Sequence, residues 1–284
     1  MRVADLVELV RAPAALTVPG DVIAGAVAAG NLRPARVAGL AASSVCLYWA
    51  GMALNDWADR EVDATERPER PIPSGRVRAD TALTLATGLT AAGLGLAAVA
   101  GRGAAVRTSA VLAATAWAYD LGGKNTPAGP VLMATARALD VLVGAGSGRR
   151  RAIGPAVAVG AHILGVTAVS RNEVHGGSAV APRGALAATA AITAATSAGG
   201  PLGPARMVTA GLAGLFASAV APAQLAAAQQ PSAGRMRAAV GAGIHGLVPL
   251  QAAWCARGGK PRLGAGLVAA LPLARALARK VSPT

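Results

Sequence analysis

The stretch VAGLAASSVCLYWAGMALNDWADREVD, residues 37–63, decides how the chain is read. Its first 18 residues carry no charge, and an apolar helix of roughly 20 residues is what a bilayer's hydrocarbon core requires. The run closes on Asn55, Asp56, Asp59 and Asp63. Asn55, Asp59 and Asp63 follow one another at intervals of four, so a helix leaving the apolar layer stacks them on one face. Carboxylates so placed repel each other on a bare helix, and the stack calls for a cation. Oxygen ligands with open positions suit Mg²⁺ shared with substrate phosphates.

The same alternation of apolar run and charged turn extends along the chain. Runs fall at 14–30, 37–57, 79–100, 104–121, 129–148, 153–170, 184–200, 206–228 and 237–255. A tenth, 263–278, is short, contains Arg275, and reads as an interface helix or a short span. Val3, Leu6, Val7 and Val10 have helical spacing, so residues 1–12 are expected to lie at the interface as an amphipathic helix. Composition agrees: 54% of residues are hydrophobic and 14% charged, against about 25% charged in a typical soluble domain. Mean hydropathy is +0.48. The expected fold is an all-α integral membrane bundle of nine transmembrane helices, ten if the last run also crosses. A single domain over 1–284 is expected, with 263–280 as its short closing helix and no cleavable signal segment.

The net charge of +14 would point to nucleic acid in a soluble chain. Here the cations sit in turns between apolar runs and aromatics amount to 2%, so no base-stacking surface is expected. Membrane lipid head groups, or an anionic substrate, account for the charge better. All 13 Asp and Glu precede residue 174, and most gather at one expected membrane face. Lys and Arg divide 12 to 11 between the two faces before the final helix, so counting cations does not orient the chain. A cytoplasmic position for the acidic face, in a bacterial cytoplasmic membrane, is expected because soluble diphosphates are made there. Cys46, Cys255, His162, His175 and His245 form no ligand spacing and read as structural residues.

Two further blocks belong with the motif. Residues 66–78 (ERPERPIPSGRVR) supply Arg67 and Arg70, able to grip diphosphate oxygens bidentately, in a loop stiffened by three prolines. Residues 119–127 (YDLGGKNTP) join the fourth and fifth runs and carry Tyr119 and Lys124. Asn55-Asp56-x-x-Asp59-x-x-x-Asp63, followed by the Arg/Pro-Ile-Pro-Ser-Gly stretch, resembles the first aspartate-rich motif of the UbiA prenyltransferase superfamily. The resemblance implies nine transmembrane helices, a lateral opening to lipid, and Mg²⁺-dependent ionisation of a prenyl diphosphate. It assigns Asn55, Asp56, Asp59 and Asp63 to metal and Asp56, Asp59 and Lys124 to catalysis. Asn55, Arg67, Arg70, Tyr119 and Lys124 fall to the substrate.

The family's second motif, Asp-x-x-x-Asp at the end of the sixth helix, is altered here. Residues 169–176 read VSRNEVHG, similar to an EboC-like branch with Arg-x-Glu at this place. Arg171 and Asn172 are then substrate-binding candidates, and Glu173 a metal-binding and catalytic one. Arg137 and Asp140 lie within the fifth run on one helical face. Ionisable groups in a span default to pairing or function, so both are candidates for contact with a polar acceptor, as is Asp21. Tyr48, Trp49, Trp57, Trp117 and Tyr119 cluster near the motif and are expected to wall a pocket. The reading is a prenyltransferase acting on an unidentified acceptor. Its rivals are a terpene cyclase on the same fold and a non-catalytic lipid-binding or transport protein.

Overall fold

The computed structural model describes residues 2–199 and 203–270, and their regular structure is helical. The helices are α1 (Val3–Leu9), α2 (Val18–Ala28), α3 (Pro34–Ala58), α4 (Arg60–Glu66), α5 (Ala79–Asp120), α6 (Gly129–Ala145), α7 (Ile153–Ser170), α8 (Val180–Ser197), α9 (Pro204–Gln229) and α10 (Ala233–Arg257). A last helix, α11, occupies 261–270. The remainder of the tenth apolar run, 271–280, lies outside the described residues.

Local sequence sets these boundaries. Pro34 and Pro204 sit in the first turns of α3 and α9, where a missing N–H costs no helical bond. The α2 helix ends at Gly30, whose φ of 69° is open to glycine. There the Asn31 N–H reaches back to the Ala26 carbonyl at 2.9 Å and the Gly30 N–H to that of Val27 at 3.0 Å, closing the helix end.

At 42 residues, α5 would be about 63 Å long if straight, twice the depth of a bilayer core. It is instead a hairpin. Arg102 takes φ 57°, ψ −164° at the bend, and the Trp117 indole N–H donates to the Thr90 hydroxyl at 3.2 Å. The sequence-based runs at 79–100 and 104–121 are its two arms. The 3-10 turn Gly146–Ala152 folds α6 and α7 into a second hairpin. By length and composition five stretches suffice to cross a membrane: Pro34–Ala58, Ala79–Asp120, Gly129–Ser170, Pro204–Gln229 and Ala233–Arg257. With two of these folded back on themselves, and α2 and α8 outside the set, the nine crossings stand as an expectation from the sequence. Val99, Val111, Val131, Val157 and Met207 point outward, as a lipid-facing surface demands and a water-facing one would not tolerate in such number.

The α2 and α6 helices tie the bundle together. One buried cluster joins Ala24, Val27 and Val141 to Val159, Phe216 and Leu250; another joins Val22, Ala26 and Val143 to Leu40, Leu47 and Leu112. The α2–α6 crossing is close enough that only glycine fits at two points. A Cβ on Gly25 would lie 1.8 Å from the Val141 carbonyl oxygen, and one on Gly144 2.0 Å from that of Val22. Backbone atoms cannot step aside as a side chain can. Gly25→Ala and Gly144→Ala are therefore expected to cost at least about 1–3 kcal/mol, the usual penalty of overpacking. Gly88→Ala, facing open space, should not lower stability. Thermal unfolding in detergent checks this, and an unchanged midpoint for Gly25→Ala would refute the close crossing.

Candidate active site

The motif begins where α3 gives way to α4. Asp59 interrupts the helix assignment, yet the bonding ladder runs on: its N–H reaches the Asn55 carbonyl at 2.9 Å, and that of Asp63 reaches Asp59 at 2.8 Å. The four-residue register is thus kept across the break, as the spacing predicts. The side chains then part to different partners. Asn55 donates from Nδ2 to Asp120 Oδ1 at 3.1 Å. Asp59 Oδ2 pairs with Lys124 Nζ at 2.7 Å. Asp63 receives Arg70 at 2.6 Å and Arg67 at 3.3 Å. Asp56 lies 3.4 Å from Arg70 and 2.8 Å from Arg11. The proline-rich loop has folded back to lay its arginines on the carboxylates of the motif.

Two spaces flank Tyr119. Asp59, Asp63, Arg67, Lys124 and Arg171 line a polar cleft of about 1010 Å³, counted to its open mouth. Tyr119 borders that cleft and also a mostly apolar cavity between α3, α5 and α6, about 590 Å³ when counted out to its open side. Tyr48, Met52 and Met133 are among the walls of the cavity, and Ser44, Arg137 and Asp140 also line it. Asp140 lies eleven residues along α6 from Gly129, a cleft residue, hence about 16 Å deeper.

In the bundle interior Arg137 Nη2 meets Asp21 Oδ2 at 2.7 Å, while Gln251 Nε2 donates to Asp21 Oδ1 at 2.7 Å and to the Thr17 carbonyl at 2.8 Å. The counter-ion of Arg137 is therefore Asp21, across helices, and not Asp140 on its own helix. Asp21 does not line the cavity; Arg137 and Asp140 do. Asp140 and Ser44 are buried beside each other, and Arg137 Nε is buried without a hydrogen-bond partner.

Other expectations come out differently. Of the five aromatics, Tyr48 and Tyr119 wall the cavity. Trp57 lies under Arg60, 4.8 Å from ring to guanidinium, and Trp117 closes the α5 hairpin. Arg171 reaches the cleft and donates to the Thr126 carbonyl at 2.6 Å. Asn172 and Glu173 do not line the cleft: Asn172 turns toward Gly177, and the Glu173 carbonyl accepts from Arg237. Among the described residues no three of His, Cys, Asp and Glu converge on a metal-sized point. The donor set does fit one Mg²⁺, because that ion commonly takes one or two carboxylates and completes its shell with water and phosphate. Asp59 and Asp63, a turn apart on the cleft, provide those two.

The N-terminal segment is part of this site, which its sequence did not reveal. It is not Val3 but Leu9 and Asp5 that α1 buries. Arg76 donates to both oxygens of Glu8, at 2.5 and 2.9 Å, and to Asp5 at 3.2 Å. These contacts strap α1 to the 66–78 loop, and Arg11 then reaches Asp56. Arg76 holds the Glu8 carboxyl below the ordinary glutamate range. A lowered folded-state value means the contribution is present above the ordinary value and is lost as pH falls through the folded one. Limited proteolysis at residues 2–11 should therefore rise on acidification past the ordinary glutamate range. Arg76→Ala should be cleaved there at neutral pH, and equal resistance of variant and parent would refute the strap.

A family model described as "UbiA prenyltransferase family" matches residues 17–171. The chain belongs to the UbiA prenyltransferase family. That match takes in the motif, the 119–127 block and the start of the altered second motif. Two digeranylgeranylglyceryl phosphate synthases share sequence with it. One, from Methanopyrus kandleri, is 39% identical over 159 residues, 55% of each chain. The other, from Ignicoccus hospitalis, is 45% identical over 107 residues, 37% of this chain and 35% of the relative. The chain thus spans about a third to about half of these relatives' lengths. The apo structure of a UbiA homolog from Aeropyrum pernix K1 superposes with a TM-score of 0.67 at 23% identity, over 84% of this chain and 96% of that one. The UbiA fold is common to both, an all-helical membrane bundle.

Proposed function

We propose that this UbiA-family chain is an Mg²⁺-dependent intramembrane prenyltransferase that moves a prenyl group from a prenyl diphosphate to an acceptor. The observation that carries this is Tyr119, which lines both a polar cleft holding Arg67, Lys124 and Arg171 and a mostly apolar cavity. A ligand with an anionic head and a hydrocarbon tail matches that pair of spaces, and few other metabolites do.

In this reading Asp59 and Asp63, with Asn55 beside them, hold the metal. Mg²⁺, when bound, supplies positive charge to the departing diphosphate. Lys124, Arg67 and Arg171 take the phosphate oxygens, Lys124 exchanging Asp59 for the substrate. Asp56, held by Arg11 and Arg70, fixes the loop that carries Arg67. These charges stand ready where negative charge grows on the leaving group, and preorganisation of this kind is usually what lowers a reaction barrier most. The faces of Tyr48 and Tyr119 can flank a developing allyl cation, and the apolar walls keep water from it. Arg137 and Asp140 face the acceptor. Arg171 takes up the function at the altered second motif, and Glu173 has no part in the cleft. The motif-bearing end faces the cytoplasm of a bacterial cell, where soluble prenyl diphosphates arise.

Product analysis tests the reading. Purified protein in lipid nanodiscs is given Mg²⁺, geranylgeranyl diphosphate and a membrane-lipid extract. A product heavier by one prenyl group supports transfer. A cyclic hydrocarbon with the donor's carbon count would replace transfer with cyclisation. Recovery of intact donor in every case, across geranyl to polyprenyl lengths, would overturn the proposal.

A further inference from the structure

The opposite end of the bundle carries a second polar site that the motif does not explain. The start of α3, the α5 bend and the Gly146–Ala152 turn bring Arg33, Arg36, Arg102 and Arg149 to it without one Asp or Glu in these segments. Arg33, Arg36 and Arg102, with Asn31, line an open basin of about 840 Å³, counted to its mouth. Among the described residues none of the three has a carboxylate within ion-pair distance. Arg36 Nη1 is buried with no partner at all.

The backbone is arranged around these cations. Gly146 has φ 59°, and a Cβ there would lie 2.1 Å from Arg36 Nη2, so the Arg36 guanidinium is seated over a glycine. Arg102 holds φ 57°, ψ −164°, a region almost confined to glycine, although Gly101 and Gly103 flank it and would bend at lower cost. Arg149 ties the Gly146–Ala152 turn to α5 by donating to the Ala104 carbonyl at 2.8 Å and the Thr108 hydroxyl at 2.6 Å. Uncompensated like charges beside a cavity repel, and an anion that accepts from several guanidinium forks relieves them. Phosphate does this best, through paired N–H···O bonds.

We infer that this basin is a binding site for a phosphate group. Along α3 it lies nineteen residues from Asn55, about 28 Å away, so it is separate from the proposed diphosphate site. The phosphate can belong to an anionic lipid at that membrane surface or to a soluble ion.

The test uses the full chain in detergent. Binding of phosphatidate and of phosphatidylcholine is compared by native mass spectrometry, and inorganic phosphate is titrated in a thermal-shift assay. The Arg33→Gln/Arg36→Gln/Arg102→Gln variant is set against a charge-matched control, Arg150→Gln/Arg206→Gln/Arg262→Gln, that removes exposed cations from the same end. Phosphatidate preferred at least tenfold, with the preference lost only in the basin variant, supports the site and assigns it to lipid. Stabilisation by inorganic phosphate that disappears only in the basin variant supports it and assigns a soluble source. Equal losses in both variants, or none in either, would overturn it, since diffuse surface charge then explains the binding. Should the triple variant not fold, Arg33→Gln alone, an exposed position, must weaken binding more than Arg150→Gln.

Discussion

Asp59→Ala is expected to lower Mg²⁺-dependent pyrophosphate release by at least about 10²–10³-fold, the usual loss when one preorganised charge-stabilising group is removed from an active site. The effect is large because two roles converge on one carboxylate. Asp59 lines the polar cleft, and it holds Lys124 at 2.7 Å. In the proposed reading, removing it takes away a metal oxygen and unseats the cation that would meet the diphosphate. Lys124→Ala should fall by a similar factor, and the double variant by less than the product of the two, since groups that act as a unit are not additive. Steady-state pyrophosphate release, with circular dichroism to show that the helices persist, checks all three. Strictly multiplicative losses would mean that the two residues act independently.

The buried pair deeper in the bundle should dominate stability. Asp21 is fully buried and Arg137 nearly so, and removing one member of such a pair typically costs about 3–5 kcal/mol because the other is left uncompensated. The two single variants should not be equal. Arg137→Leu strands two carboxylates, Asp21 and Asp140, in the bundle interior. Asp21→Leu leaves Arg137 with Asp140 beside it along the cavity wall, so its loss should be smaller. The double variant Asp21→Leu/Arg137→Met should recover most of the stability, because replacing a buried pair with packed apolar groups is often neutral. Unfolding of the detergent-solubilised protein gives the order, and a double variant as unstable as Arg137→Leu would contradict it.

How much of this the sequence disclosed depends on the range of the interaction. The register of Asn55, Asp59 and Asp63 was legible because helical geometry alone decides which residues share a face. The α5 bend was legible because Gly101-Arg102-Gly103 parts two apolar runs, 79–100 and 104–121, each near the length of a span. Arg11, 45 residues from Asp56, was not: its approach depends on a left-handed backbone at φ 45° and on the Arg76 strap. The nearby Asp140 masked the true partner of Arg137, since Asp21 and Gln251 meet across 230 residues and no local pattern announces that. Nor do Gly25 and Gly144 stand apart among 36 glycines; only the helix crossing shows what they exclude. The departure at 169–176 was visible as a change of residue type, but which of Arg171, Asn172 and Glu173 reaches the cleft depends on the turn that follows α7.

The central claim is that the charged cleft ionises a prenyl diphosphate whose tail occupies the adjoining cavity. It is tested most directly by pyrophosphate release from farnesyl and geranylgeranyl diphosphates by the purified chain, with Mg²⁺ and then with excess EDTA. The account predicts release that requires the metal, is abolished by Asp59→Ala, and is absent with inorganic triphosphate, which has no tail to seat. Release that persists in EDTA or in the Asp59 variant, or no release from any prenyl donor in a lipid environment, would contradict it.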